Sequence, residues 1–220
     1  MYGSGIEQPT VDFSTLDYLQ ITPGSYFIGF DSGNLGKLSK IDSAGNITVL
    51  ENSSISFQYE IGQHVASEGG VIFHRYLTGT TQNYLVVDLQ DLGTAVWSNI
   101  DNTANNATSL WNGSSNQSII TSQPGATSGA AFSCQASTNG GLTDWYLPAA
   151  QELNKLWCNM LEVSKGLEIA SGNQLVFSDY WSSTEFVTST AWYFSFYFGV
   201  AYNDSKNTTF YVRAVRQFSI

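Results

Sequence analysis

Polar and apolar residues follow three rhythms along this chain. From Ser25, short apolar runs alternate with turn residues: Tyr26-Phe27-Ile28-Gly29-Phe30, Asp31-Ser32-Gly33-Asn34, Lys37-Leu38-Ser39-Lys40-Ile41, Asp42-Ser43-Ala44-Gly45-Asn46, then Ile47-Thr48-Val49-Leu50. This pattern predicts three short strands joined by tight turns, too small a unit to bury much surface alone. The first twenty residues are polar and unpatterned, an arm that needs a partner. Glu51 to Ser54 reads as a boundary, which gives a β-rich anchoring or oligomerisation module over 1–55 and a longer ligand-binding unit over 56–220.

In the longer unit, Val71-Ile72-Phe73 and Tyr84-Leu85-Val86-Val87 read as strand cores. Residues 98–129 are dominated by Asn, Ser, Thr and Gly and predict loops with few regular elements. Gly129 to Ala136 predicts a short helix stopped by Asn139-Gly140-Gly141. Leu153, Leu156, Trp157, Met160 and Leu161 form a helical stripe after Pro148, which predicts a helix over about 149–162. In Ala191 to Phe198 the alternation is strict. It directs Trp192, Phe194, Phe196 and Phe198 to one face and Tyr193, Ser195 and Tyr197 to the other. A polar loop over 199–209 and a last strand from Phe210 to Phe218 complete the reading. Architecture is therefore α+β.

Composition narrows the partners. Charged residues are 12% and aromatics 14% of 220 residues, with 18 acids against 8 bases. Low charge with many aromatics excludes disorder, and the acidic balance excludes a phosphate-backbone partner, so no nucleic acid is expected. No apolar run reaches the ~18 residues of a membrane span, so no membrane insertion is expected. Fourteen of the 31 aromatics lie beyond residue 170, among only six charged residues.

Catalytic constellations are missing. Gly33 to Lys37 is a near-miss of a phosphate loop, because Asp31 and Leu38 stand where Gly and Ser/Thr are required. His64 and His74 are the only histidines, and Cys134 and Cys158 the only cysteines, either bonded to each other or two separate buried thiols. No catalytic residue, metal site or cofactor is assigned. The segment 186–209 has the Tyr, Ser and Asn content of an antibody paratope, where Tyr gives contact area at low entropy cost.

One set of strings carries a resemblance. Gly140-Gly141-Leu142-Thr143-Asp144-Trp145-Tyr146-Leu147-Pro148, Glu152-Leu153-Asn154, Tyr180-Trp181-Ser182-Ser183-Thr184-Glu185, Ala191-Trp192, Phe196, Gly199, Lys206 and Tyr211-Val212-Arg213-Ala214-Val215-Arg216 together resemble the C-terminal domain family of the Legionella collagen-like protein. The likeness covers roughly 57–220 and implies a C-type lectin-like fold. It implies structural roles for Asp144, Trp145, Pro148, Trp181, Glu185, Trp192, Phe196, Gly199, Arg213 and Arg216, with the two arginines donating to carbonyls or to Glu185. It implies a ligand face at Phe186, Tyr193, Ser195, Tyr197, Tyr202, Asn203, Asp204, Ser205, Asn207 and Thr208. Val187, Ser189, Val200 and Ala201 join that face as positions that diversity-generating retroelements rewrite in variable proteins of this fold.

The sequence departs from the family at Tyr146, where Arg is usual, and at Ala149, where a Ser or Thr helix cap is usual. The calcium-dependent sugar triplets of animal lectins are missing, and the cysteine of the formylglycine-generating branch has no counterpart. The N-terminal strands resemble short repeats of phage tail-fibre and virion proteins. The resemblances therefore imply a non-enzymatic attachment protein of a virion, a homotrimer recognising a host-surface protein or glycan and bound to other virion proteins through its N-terminal module. A secreted or surface adhesin of a bacterium and a structural virion decoration protein are the alternatives.

Overall fold

The computed structural model describes residues 57–101 and 105–220, preceded by the backbone of three strands at 26–29, 37–41 and 47–49. The arm over 1–20, the turns between the first strands and the 51–54 boundary lie outside the described residues. Met1–Ser56 and Phe57–Ile220 form two compact units. In the first, β1 (Tyr26–Gly29), β2 (Lys37–Ile41) and β3 (Ile47–Val49) pair antiparallel in sequence order.

The second unit is α+β. Its strands are β4 (His64–Val65), β5 (Gly70–Thr78), β6 (Thr81–Asp88), β7 (Thr94–Val96), β8 (Asp179–Val187), β9 (Thr190–Ser195), β10 (Val200–Ser205), β11 (Thr209–Tyr211) and β12 (Val215–Ser219). The helices are α1 (Gly113–Ser122), α2 (Ala130–Gln135), α3 (Ala150–Cys158) and α4 (Met160–Ile169). A four-stranded antiparallel sheet runs β12-β6-β5-β4, and a five-stranded sheet runs β10-β9-β8-β11-β7, parallel only at β8–β11.

The continuous apolar runs in β5 and β6 have a simple cause, since both faces of their sheet are covered. Val71, Phe73, Leu85 and Val87 pack with Leu153, Leu156, Val163 and Leu167 of α3 and α4. Ile72, Tyr84 and Val86 pack on the other side with Trp97, Trp145, Trp181 and Cys134. At one corner Tyr59 meets Tyr84 and Phe218 edge-on, with ring centroids 5.4 and 5.8 Å away. Gln82 ties the same corner, receiving a hydrogen bond from Gln58 N and exchanging backbone bonds with Ile220.

Four sequence expectations need correction. The Ser/Asn-rich stretch 98–129 contains α1, because Asn112 caps it by accepting from Ser115 N at 2.9 Å, and its buried polar residues find backbone partners. Asn116 exchanges hydrogen bonds with Ser109, while Gln117 donates to Trp145 O and accepts from Leu147 N. The helix expected over 149–162 runs to Ile169 in two pieces, broken at Asn159, whose amide donates to Phe73 O. The loop expected over 199–209 contains β10, because each of its residues pairs with one in β9. The expected last strand divides between sheets, with Thr209–Tyr211 in one and Val215–Ser219 in the other.

A buried ion pair locks the five-stranded sheet to its loops. Lys206 Nζ lies 2.5 Å from Glu185 Oε1, with both side chains sealed from solvent. The ammonium also donates to Thr188 O and lies 4.8 Å from the centre of the Trp97 ring. Glu185 in turn accepts from the backbone N–H groups of Asn105 and Asn106. Both carboxylate oxygens are thereby engaged and the ammonium is held by two oxygens and a ring face, which offsets the cost of burying the pair. Replacing Glu185 with Ala strands a buried ammonium and is expected to cost roughly 3–5 kcal/mol in urea denaturation, whereas a loss below 1 kcal/mol would contradict this role.

The start of α3 lacks the usual hydroxyl cap, since Ala149 occupies the cap position. Glu152 compensates. Its Oε2 accepts from Ala149 N at 2.6 Å and Gly113 N at 3.2 Å, and its Oε1 accepts from Tyr146 Oη at 2.9 Å. Ala150 N donates to Thr184 Oγ1. Burial pushes the Glu152 carboxyl up to about 7, against the opposing pull of these hydrogen bonds. Protonated Glu152 thus favours the fold, a stabilisation complete below its unfolded value near 4.5 and lost as pH rises to about 7. Glu152→Gln keeps the acceptor for both N–H groups, and Tyr146 Oη accepts from the new amide. The variant is expected to flatten the melting-temperature profile between about pH 4.5 and 7; a profile parallel to the wild type would disprove the assignment.

Candidate functional site

The predicted ligand face is built on the β9–β10 hairpin. Tyr202 stands opposite Tyr193 in the register, and β10 is the outer strand, paired only with β9 among the described residues. The connecting turn, 196–199, carries the most exposed aromatics of this region. Tyr197 is 70% and Phe198 67% exposed, and their rings meet edge-on at 5.0 Å. Two contacts hold this turn. Trp157 of α3 donates from its indole N–H to Phe196 O at 3.2 Å, and Gly199 N donates to Ser195 O at 2.8 Å. Gly199 has φ +71°, and a Cβ there would fall 2.4 Å from the Trp157 ring, so glycine is required both by conformation and by space.

The strict inside–outside alternation breaks down. Ser195 is buried, and Tyr193 is half-buried against Trp181, Phe210 and Tyr202. The cause is that β9 lies between β8 and β10 with both its faces covered at this end. Phe198, expected in the core, is exposed because the strand stops at Ser195 and the turn resets the side-chain direction. Trp192 is only half-buried and meets Phe186 edge-on at 5.0 Å.

The remaining positions separate into two patches. Phe186 and Val187, at the end of β8, and Ser189 in the turn that follows are exposed, close to Lys206 and Asn207, since Lys206 N donates to Ser189 O. Tyr197, Phe198 and Val200 cluster at the other end of β9, about 20 Å away for a six-residue strand. Tyr202 and Asn203 are exposed along the β10 edge between them, while Ala201 is half-buried. Asp204, Ser205 and Thr208 are also half-buried and occupied with one another, since Asp204 accepts from Ser205 N and Thr208 Oγ1. The sequence missed Trp157 as a turn support; its place in the helical stripe predicted only core packing.

The scaffold residues are spread through both sheets. Trp145 is buried and donates to Asn139 O; Trp181 is buried and donates to Ala95 O and Thr208 O; Phe196 is buried against Tyr180. Pro148 is buried, and its carbonyl accepts from Ser183 N. Arg213 is fully buried, donating to Asp88 O and Asn173 O, and burial lowers its pKa. Arg216 forks onto exposed Asp144 at 2.8 and 2.9 Å and pairs with Glu68. Neither arginine meets Glu185, whose cation is Lys206. Cys134 and Cys158 are free thiols, the first buried and the second exposed. Among the described residues no cluster of His, Cys, Asp and Glu is placed to hold a metal ion.

The model of the Lcl C-terminal domain matches residues 95–216, just over half of the chain. The chain belongs to the Lcl C-terminal domain family. The matched stretch opens in β7 and closes in β12, so it takes in all of the five-stranded sheet but Thr94, and all four helices. Membership gives this Lcl-type domain a surface-associated, adhesin-like character. No curated protein matches the chain. No helix among the described residues is long and apolar enough to cross a membrane.

In this Lcl-type domain the exposed aromatic turn depends on Gly199. Gly199→Ala is expected to cost about 1–3 kcal/mol in thermal or urea unfolding. It should also broaden the amide signals of residues 196–199 in NMR spectra. A variant with wild-type stability and an unaltered turn would show that the Trp157 contact is dispensable.

Proposed function

We propose that the chain is the receptor-binding protein of a phage tail fibre or other virion part, and that it recognises a host-surface protein or glycan through the β9–β10 edge and its flanking turns. The observation that carries this reading is the exposed Tyr197–Phe198 pair on a turn held from beneath by Trp157, continuous with Tyr202 and Asn203 on an outer strand. Rigid aromatics presented with their ordering cost already met are what a contact surface needs. A C-type lectin-like fold is part of the proposal, supported by family membership and by two sheets around mixed helices.

On this reading the 1–55 module joins the chain to other virion proteins and favours a homotrimer. Among the positions a diversity-generating retroelement would rewrite, Phe186, Val187, Ser189, Tyr197, Val200, Tyr202, Asn203 and Asn207 are exposed. The role is binding without catalysis. In support, burial raises the Cys134 thiol well above its ordinary range, with Asp88 adding to the effect, so it is a poor nucleophile. Family membership favours a second reading, an adhesin on a bacterial surface; secretion genes rather than virion genes beside the coding sequence would select it.

Combined replacement of Tyr197, Phe198 and Tyr202 by Ala removes exposed rings and spares the Tyr193–Trp181 packing. Binding of the labelled protein to host cells should be lost while its circular dichroism and melting temperature stay near wild type. A folded triple variant that still binds the cells would refute the assignment.

A further inference from the structure

The outer edge of the five-stranded sheet carries recognition chemistry in its backbone. β10 pairs residue for residue with β9, from Val200 opposite Ser195 to Ser205 opposite Thr190, with no bulge, and Lys206 N continues the ladder to Ser189 O. Opposite residues of an antiparallel pair alternate between bonded and unbonded. Val200, Tyr202 and Asp204 therefore turn their N–H and C=O groups toward β9, while Ala201, Asn203 and Ser205 turn theirs outward. Ser205 is satisfied, its N–H by Asp204 Oδ1 and its carbonyl by Thr208 N. The outward N–H and C=O groups of Ala201 and Asn203 have no partner among the described residues. Edge strands are normally blunted by Lys, Pro, a bulge or brevity. β10 has six residues and none of these devices, whereas β7 and β4 have three and two residues and β12 is bridged by Tyr146 at Val215.

We propose that β10 takes an extended, basic peptide segment of the partner as an added strand, bonded to the backbone of Ala201 and Asn203 and flanked by Val200, Tyr202 and Asp204. The assignment rests on the β9–β10 edge being the attachment face, and it makes the partner there a polypeptide. Only an extended polypeptide repeats N–H and C=O groups at intervals of ~6.8 Å, the spacing of alternate residues in a strand. Exposed Val200 and Tyr202 share one face of β10 and meet alternate side chains of the incoming strand. Charge selects a basic segment. Both hydrogen bonds to Asp204 fall on Oδ1, which leaves Oδ2 to a cation. Asp179, opposite Ser195 in the register, makes no ion pair among the described residues. Burial, then Asp179, Asp204 and Tyr202, raise the Tyr193 phenol above its ordinary value, and neither β9 nor β10 contains Lys or Arg. A second copy of the chain would bring the same carboxylates and a net charge of −10 against this edge, which like-charge repulsion opposes.

The test selects a displayed library of short random peptides on the immobilised full chain and synthesises those recovered. They should be rich in Lys or Arg. N-methylation of alternate peptide residues should abolish binding at one parity and spare it at the other, because only every second amide of an added strand faces β10. Asn203→Pro deletes an outward N–H and no bond to β9, a position where an edge strand tolerates proline. It should weaken the peptides about tenfold beyond the effect of Asn203→Ala, the worth of one hydrogen bond, with the melting temperature reporting an intact hairpin. If proline unfolds the hairpin, the N-methyl parity on the unaltered chain decides alone. Asp204→Asn, which keeps the Oδ1 acceptor, should weaken basic peptides about threefold. Recovery of no peptide with this parity, binding indifferent to Asn203→Pro in a folded variant, or self-association of the chain that Asn203→Pro disperses would overturn the proposal. A parity-sensitive peptide that fails to block attachment to host cells would instead refute the attachment reading and leave strand addition standing.

Discussion

The Glu185–Lys206 pair is the constraint around which the larger unit is organised. It joins the loop at 105–106, the β8–β9 turn through Thr188, the β10–β11 connection that carries Lys206, and the face of Trp97. An ion pair so enclosed contributes less to net stability than to uniqueness, because any other arrangement leaves a charge without a partner. The turns at 186–189 and 205–208 are accordingly fixed from within.

The same pair changes the meaning of the low charge content. Three of the eight basic residues, Lys206, Arg213 and Arg216, are buried, so the solvent face is poorer in cations than composition indicates. Each has a defined task inside: Arg213 caps carbonyls of Asp88 and Asn173, and Arg216 ties β12 to Asp144 and Glu68. The Ser, Thr and Asn excess also works partly indoors. Asn116, Gln117 and Thr184 satisfy backbone groups that would otherwise be stranded.

What the sequence made legible follows from the range over which each signal acts. The strand cores at 71–73 and 84–87, and the helix after Pro148, were readable because hydrophobic periodicity is local. α1 was not, because its stability comes from side-chain bonds to Ser109, Trp145 and Leu147 that no periodic pattern records. The candidate face was half legible. Tyr197 projects as its alternation suggests, but Ser195 and Tyr193 are covered by neighbours whose arrival depends on sheet order. α3 was recognised as a helix, yet its other service was invisible: Trp157 props the 196–199 turn.

The corner where Tyr59 meets Phe218 and where Gln82 bonds both Gln58 and Ile220 brings the two ends of the larger unit together. A fold whose ends meet at one point makes a modest geometric demand on whatever carries it. Short linkers from that corner would suffice to graft residues 57–220 into a surface loop of an unrelated scaffold, or to close the unit into a ring and reopen it elsewhere. Either form would display the hairpin with its supporting helix and buried ion pair undisturbed.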